Sequence, residues 1–193
     1  MGSKTVTLSE AKIFLADFGE SFSPLQKSRC DSHAPLLVRP PETIHEPSRP
    51  LTYSSDIWML ACSIREIIGQ RTLFEPWFPT EDSITREQVY VCGILPPEWW
   101  AKWETRHNWF AEDGSPISEP YLPPLEGHFD KCVQAPRRKE GMPTFDTEEK
   151  DAVLAMLRSM LSYESEARPT AEQLLKSEWM QNWALPTYEK IRE

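Results

Sequence analysis

Glycine is scarce in this chain: there are seven in 193 residues, and no two stand two positions apart. That excludes a glycine-rich phosphate cradle of the G-x-G type from these residues. The four cysteines, Cys30, Cys62, Cys92 and Cys132, form no C-x-x-C pair and no metal-ligand spacing. A zinc module or a disulfide framework is therefore excluded, and free thiols in a reducing, intracellular compartment fit the pattern, cytoplasmic or nuclear alike. No apolar run approaches the ~18 residues that would span a bilayer. Basic residues are outnumbered, and the formal net charge of -9 argues against a nucleic-acid backbone as partner while suiting a basic peptide. Met1-Gly2 opens like a myristoylation signal, but Val6 stands where that signal requires Ser or Thr.

What the chain does have is apolar and aromatic mass: 39% hydrophobic residues, with eight Trp and eight Phe, enough to bury a core. Its 18 prolines mean stiff connections. The stretch Tyr53 to Gly69, Y-S-S-D-I-W-M-L-A-C-S-I-R-E-I-I-G, predicts the central helix. Ile57, Leu60, Ala61, Ile64, Ile67 and Ile68 repeat at i, i+3, i+4 and i+7. Trp58, Met59 and Cys62 extend the apolar surface around the first half, as expected of an interior helix. Ser54 or Ser55 is expected to cap its start and Gly69 to take the left-handed turn at its end. Asp56, in the first turn, reads either as a carboxylate favoured by the helix dipole or as an acceptor for a neighbouring loop's N–H groups.

Upstream, Ile13-Phe14-Leu15-Ala16 reads as a short strand broken by Asp17-Phe18-Gly19. An Asp at a strand's end beside a glycine suits a hard cation held through carboxylate and phosphate oxygens. A polar loop carrying Ser21, Ser23, Ser28 and Ser32 follows, then L-L-V-R-P-P-E over 36–42. A helix is expected over Glu81 to Ile94 and another from Pro97 through the cluster Trp99, Trp100 and Trp103. That cluster reads as core in preference to a peptide groove. Asp113 to Pro124 is a surface excursion. Asp146 caps a helix with the stripe Val153, Met156, Leu157, Met160 and Leu161, and Thr170 with Gln173 forms a capping box for a last helix ending near Trp179-Met180.

In order and spacing, D-F-G, a loop of about twenty residues, R-P-P-E, S-S-D-I-W-M-L-A-C and the tail L-S-Y-E-S-E-A-R-P resemble the second half of a eukaryotic protein kinase. A-D-F-G-E-S, R-P-P-E and the Trp-rich segment look most like the SR-protein-kinase-like serine/threonine kinases of fungi. The resemblance implies a mainly α fold, the helical C-lobe of a kinase around the central helix, with a short β segment before D-F-G and no N-lobe. Residues 1–193 would form one domain: 11–50 the metal, activation and peptide-binding segments, 53–69 the central helix, 70–145 a Pro/Trp-rich insert and 146–185 the terminal helices.

Carried over residue by residue, Asp17 matches the ligand of the magnesium that bridges the phosphates of ATP. Phe18 would pack beneath the junction that follows, and Gly19 would let the loop swing, both beside the nucleotide. Leu36, Leu37 and Arg39 match the segment beside the substrate residue that follows the phosphoacceptor. Glu42 and Arg168 match a buried ion pair, Trp58 belongs to the central helix's packing, and Asp56 matches the acid that holds the catalytic loop. The implied substrate is a protein, basic and Arg/Ser-rich on the narrower resemblance; the missing N-lobe or another protein would cover the open face.

The departures from the pattern are as informative. Pro40 replaces the usual Ala, Ala61 the usual Gly, and Pro35 a Thr whose hydroxyl meets the catalytic Asp. The histidines are followed by Ala, Glu, Asn and Phe, so no H-R-D is present, and neither a Gly-rich loop nor an ATP-binding Lys strand accompanies it. The expectation is a partial kinase domain that transfers no phosphate by itself, holding magnesium and ATP weakly at most. The alternative is a non-catalytic, pseudokinase-like scaffold.

Overall fold

Hiding the apolar side of residues 53–69 from water requires walls on most of its circumference, and the rest of the chain supplies them. A computed structural model describes residues 14–120 and 122–192. Its helices are α1 (Glu42–His45), α2 (Tyr53–Gly69), α3 (Glu81–Cys92), α4 (Pro97–Lys102), α5 (Leu125–Phe129), α6 (Ala135–Lys139), α7 (Thr147–Met160), α8 (Ala171–Leu175) and α9 (Leu185–Arg192). Turns of π-helix at Asp130–Gln134 and Met180–Ala184 lead into α6 and α9. The domain is mainly helical, and no strand occurs among the described residues.

Helix α2 packs against α7, the π turn at 130–134, the single turn Leu36–Val38 and the tail at Ser165–Ala167. Its buried side is Ser55, Ile57, Trp58, Ala61, Cys62 and Arg65. That stripe is turned from the one the isoleucines suggest: Leu60 and Ile67 face solvent, and Arg65 is fully buried. The ends differ from expectation too. Thr52 is the N-cap residue, Ser54 and Ser55 spend their hydroxyls elsewhere, and Gln70, not Gly69, takes the left-handed conformation at φ 53°.

Gly69 is needed for a different reason. A Cβ there would overlap the Arg65 guanidinium, lying 2.8 Å from its Cζ. Arg65 donates to the Arg71 carbonyl at 3.3 Å and to His128 Nδ1 at 3.1 Å. An arginine is only a donor, so Nδ1 of a neutral His128 accepts and its proton sits on Nε2. Burial, helped by the Arg65 charge, pushes the His128 pKa down to about 4.

The unfolded chain protonates this histidine near its ordinary ~6.5 while the fold does not, so stability is full above that value and falls with acid through the interval down to about 4. On the order of 1 kcal/mol should be lost from this group by pH 5.5. Melting curves at pH 7 and 5.5 check it: His128→Asn should flatten the difference. His45, also pushed down to about 4 by burial, contributes in the same direction.

The Trp cluster is core. Trp99, Trp100 and Trp103 are buried, with Trp100 edge-on to Trp103 at 6.0 Å and to Phe110 at 5.7 Å, so no peptide groove lies there. Trp103 donates to Asp82 at 2.8 Å and Trp99 to Glu46 at 3.2 Å, while the buried Trp100 N–H has no hydrogen-bond partner. Helix α3 ends at Cys92, two residues short of Ile94, and Gly93 follows at φ 96°. The Asp146 cap and the Thr170–Gln173 box form as the residue types dictate. The helix begun by that box, however, stops at Leu175, and helical structure resumes through the π turn into α9.

Candidate functional site

The segment before α2 folds back on the start of that helix. Leu51 N–H donates to the Arg29 carbonyl at 2.7 Å, and Ser23 Oγ lies 3.3 Å from Tyr53 OH. Between them opens a cavity of about 420 Å³ lined by Asp17, Glu20, Arg29, His33, Pro40 and Asp56 among others. Two sequence-predicted acids, Asp17 and Asp56, thus line one cavity.

Asp17 is exposed, at φ 64° and ψ 57° in the left-handed region. Non-glycine residues held there are uncommon, and Asp tolerates the conformation better than most. The strand expected before it is absent: Phe14, Leu15 and Ala16 carry no regular structure, and no described strand lies beside them to pair. Without a partner strand, backbone N–H and C=O groups turn to water in place of a ladder. Ile13 lies outside the described residues. Phe18 does not pack under the junction; it is 65% exposed. Gly19 adopts no positive φ.

Asp56 is the second acid of the cavity. It is exposed, makes no hydrogen bond to a described residue, and its carboxyl pKa is raised by partial desolvation against the helix. The loop it was expected to hold has no counterpart among the described residues. Charge pairing in this cavity falls instead on residues that sequence reading passed over. Glu20 accepts from Arg29 at 3.0 Å and meets His33 Nδ1 at 2.9 Å, and His33 Nε2 reaches Asp31 at 3.1 Å. The Arg29 bond, with His33, holds the Glu20 carboxyl below its usual range. Only the charge alternation in E-x8-R-x-D-x-H hinted at this cluster.

The substrate-side residues lie on one connected run. Leu36 and Leu37 form a single 3-10 turn half-buried against the core, and Arg39 donates to the Ala34 carbonyl at 3.1 and 2.8 Å. Pro40 and Pro41 are buried, and directly after them Glu42 opens α1.

Glu42 meets Arg168 across 126 residues of chain through two parallel bonds of 2.9 and 2.7 Å. The side chains are 5% and 0% exposed. Every remaining donor is met: Arg168 donates to the carbonyls of Ser162 at 2.8 Å and Ser54 at 3.0 Å, and Ser55 donates to Glu42 at 3.0 Å. The guanidinium also stands 5.2 Å from the Trp58 ring centroid. Trp58 itself is fully buried against Phe74 and Tyr163. Sequence pattern alone marks none of Ser54, Ser55 and Ser162 as partners, because each contributes through three-dimensional proximity.

The donor set bears on the metal. Asp17 offers a carboxylate of the kind that magnesium accepts, but no cluster of three potential ligands occurs among the described residues. Magnesium is commonly held by one or two carboxylates plus substrate phosphates, so Asp17 fits as one ligand of a nucleotide-borne ion and not as a cage. No helix of the described residues is long and apolar enough to cross a membrane. Residues 5–180 match the family model described as the protein kinase domain. No curated protein matches the chain.

Proposed function

The chain belongs to the protein kinase domain family, and from that premise we propose that it is the C-terminal part of a serine/threonine kinase domain. Joined to the remaining parts, it would serve transfer of the ATP γ-phosphoryl group to a protein hydroxyl. The observation that carries the reading is the buried Glu42–Arg168 pair, which locks the run from Leu36 to Glu42 onto α2 and the tail. A peptide-positioning segment must be held to within about 1 Å to matter for catalysis, and a fully bonded ion pair does that.

In this reading Asp17 is the magnesium ligand, with Phe18 and Gly19 beside the nucleotide, and Leu36, Leu37 and Arg39 face the peptide. Magnesium would supply charge neutralisation at the phosphates. This chain's own part is to present a carboxylate oxygen at Asp17 and to hold the peptide segment in register. The acidic cavity rim of Asp17, Glu20 and Asp56 and the net charge of -9 favour a basic protein substrate, of the Arg/Ser-rich type in the SR-protein-kinase-like reading. Nucleic acid and membrane play no direct part in it, and the setting is intracellular.

Phosphoryl transfer rests on positioning by several groups at once, and one metal ligand cannot replace them. The 193 residues alone should therefore transfer no phosphate at a useful rate. Radiolabelled ATP with a mixture of basic peptides tests this: background counts are expected, and turnover abolished by Asp17→Ala would overturn the claim. A second reading, a non-catalytic scaffold, is favoured by Phe14, Leu15 and Phe18, which are 82%, 86% and 65% exposed on the Asp17 side. Such apolar surface calls for a cover, either the N-lobe or another protein.

A further inference from the structure

A second polar cluster lies on the far side of α2, away from the Asp17 cavity. Cys132 stands in the middle of the π turn Asp130–Gln134, a rare geometry that recurs at functional positions. Its sulfur lies 3.8 Å from His128 Nε2. His128 Nδ1 is occupied by the Arg65 donor at 3.1 Å, so the neutral ring directs its one N–H, on Nε2, at that sulfur. Arg65 itself is fully buried and its Nε lacks a partner; burial lowers its pKa, and attraction to the Cys132 sulfur offsets that in part. The sulfur therefore faces an N–H donor and a buried cation.

Cys132 also borders a cavity. Cys132 and Gly69 wall a cavity of about 110 Å³ whose rim is Ile67, Gln70, Glu140 and Met142. Ile67 and Met142 are 68% and 44% exposed, so the cavity opens on solvent. Its size admits a molecule of a few atoms and excludes a bulky one. Cys62 and Cys92 provide the contrast. Both sit against the core on the Arg168 side, and burial pushes the Cys92 thiol up to about 12 and the Cys62 thiol higher still. As a whole residue Cys92 is less buried than Cys132, although its thiol is enclosed; it borders a larger cavity, about 620 Å³, yet no hydrogen bond reaches its sulfur among the described residues.

We propose that Cys132 is a peroxide-sensing modification site, its thiol oxidised by hydrogen peroxide or a similarly small hydroperoxide. The sulfur attacks the nearer peroxide oxygen, an S–O bond forms and the O–O bond breaks. The leaving hydroxide takes up the thiol's proton as water, so that the thiol and H2O2 give sulfenic acid and H2O. Sulfur loses two electrons and the peroxide gains them. The His128 N–H and the buried Arg65 cation flank the reacting sulfur, and the small cavity admits a peroxide in preference to large oxidants and larger thiols.

The test uses the full chain without substitution. It is treated with hydrogen peroxide in the presence of dimedone, and the adduct is located by peptide mass mapping over time, natively and in urea. Natively, Cys132 should acquire label about tenfold faster than Cys92 despite its lower exposure, and in urea the two rates should converge, because the effect is one of environment. Cys132→Ser should remove that adduct and leave the others. Native labelling of Cys132 no faster than Cys92 would overturn the proposal, and so would a rate gap that survives in urea.

Discussion

Replacing Arg168 by alanine should lower the stability of the domain by roughly 3–5 kcal/mol, because Glu42 would be left charged and unpaired in a dry site. For a chain of this size that corresponds to a fall in melting temperature of roughly 6–20 °C. Glu42→Ala should cost a similar amount, since it strands the guanidinium and frees the Ser55 hydroxyl. The double variant should cost clearly less than the sum, because each single change removes the same coupling. Arg49–Glu166 supplies the internal control: with Glu166 73% exposed, that ion pair lies near solvent and its removal should cost no more than about 1 kcal/mol. Thermal melts of the four variants separate the two regimes. Equal small shifts for Arg168→Ala and Glu166→Ala would mean that the buried pair does not lock the peptide segment to the tail.

Gly69→Ala should destabilise, against the ordinary rule for helices. In an exposed helix interior, glycine to alanine gains up to about 1 kcal/mol. Here the added methyl meets the Arg65 guanidinium, with Cζ 2.8 Å away. The side chain must leave the carbonyl of Arg71 and the ring of His128, so overpacking and a displaced buried charge act together. A loss of roughly 2–4 kcal/mol is expected. The Arg65→Met variant, with no guanidinium to displace, should tolerate Gly69→Ala with little further loss. Chemical denaturation of both backgrounds reads the difference, and a stabilising Gly69→Ala would show that Arg65 is free to move.

Helix α2 itself was legible because hydrophobic spacing is a local property, and its bounds Tyr53–Gly69 follow from where that spacing begins and ends. Its orientation was not. The isoleucines at 64, 67 and 68 suggest one face, whereas Trp58, Ala61 and Arg65 define the buried one. Arg65 is an interior residue because Gly69 leaves it room and His128, 63 residues on, accepts its hydrogen bond, and neither condition is visible in spacing. Capping boxes at Thr80–Ser83 and Thr170–Gln173 are short-range devices; the second was readable from residue type and the first was hidden by a serine in place of Glu or Gln. The segment 125–139 was opaque because Gly127 and Pro136 look like breakers, yet Gly127 sits inside α5 and Pro136 in the first turn of α6, where its missing N–H is tolerated.

For the candidate site, the resemblance brought Glu42 and Arg168 to attention although they stand 126 residues apart, and the structure places them in contact. The roles it assigned to Asp56 and Phe18 involve partners that the described residues do not include. Both side chains are exposed, Phe18 at 65%. Conversely, the Glu20–Arg29–His33 cluster carries no motif and emerged only when the loop closed on Leu51.

As the metal- and peptide-holding half of a phosphotransferase, this chain should become active once the other half is supplied. Fusing a complete kinase N-lobe and catalytic loop upstream of Asp17, and assaying phosphate transfer from magnesium ATP to a basic peptide, addresses that directly. A folded fusion should transfer phosphate, and Asp17→Ala should cut the rate by roughly a thousandfold or more, as loss of a charge-stabilising partner does in this chemistry. Turnover indifferent to Asp17→Ala, or a folded fusion that transfers none, would contradict it.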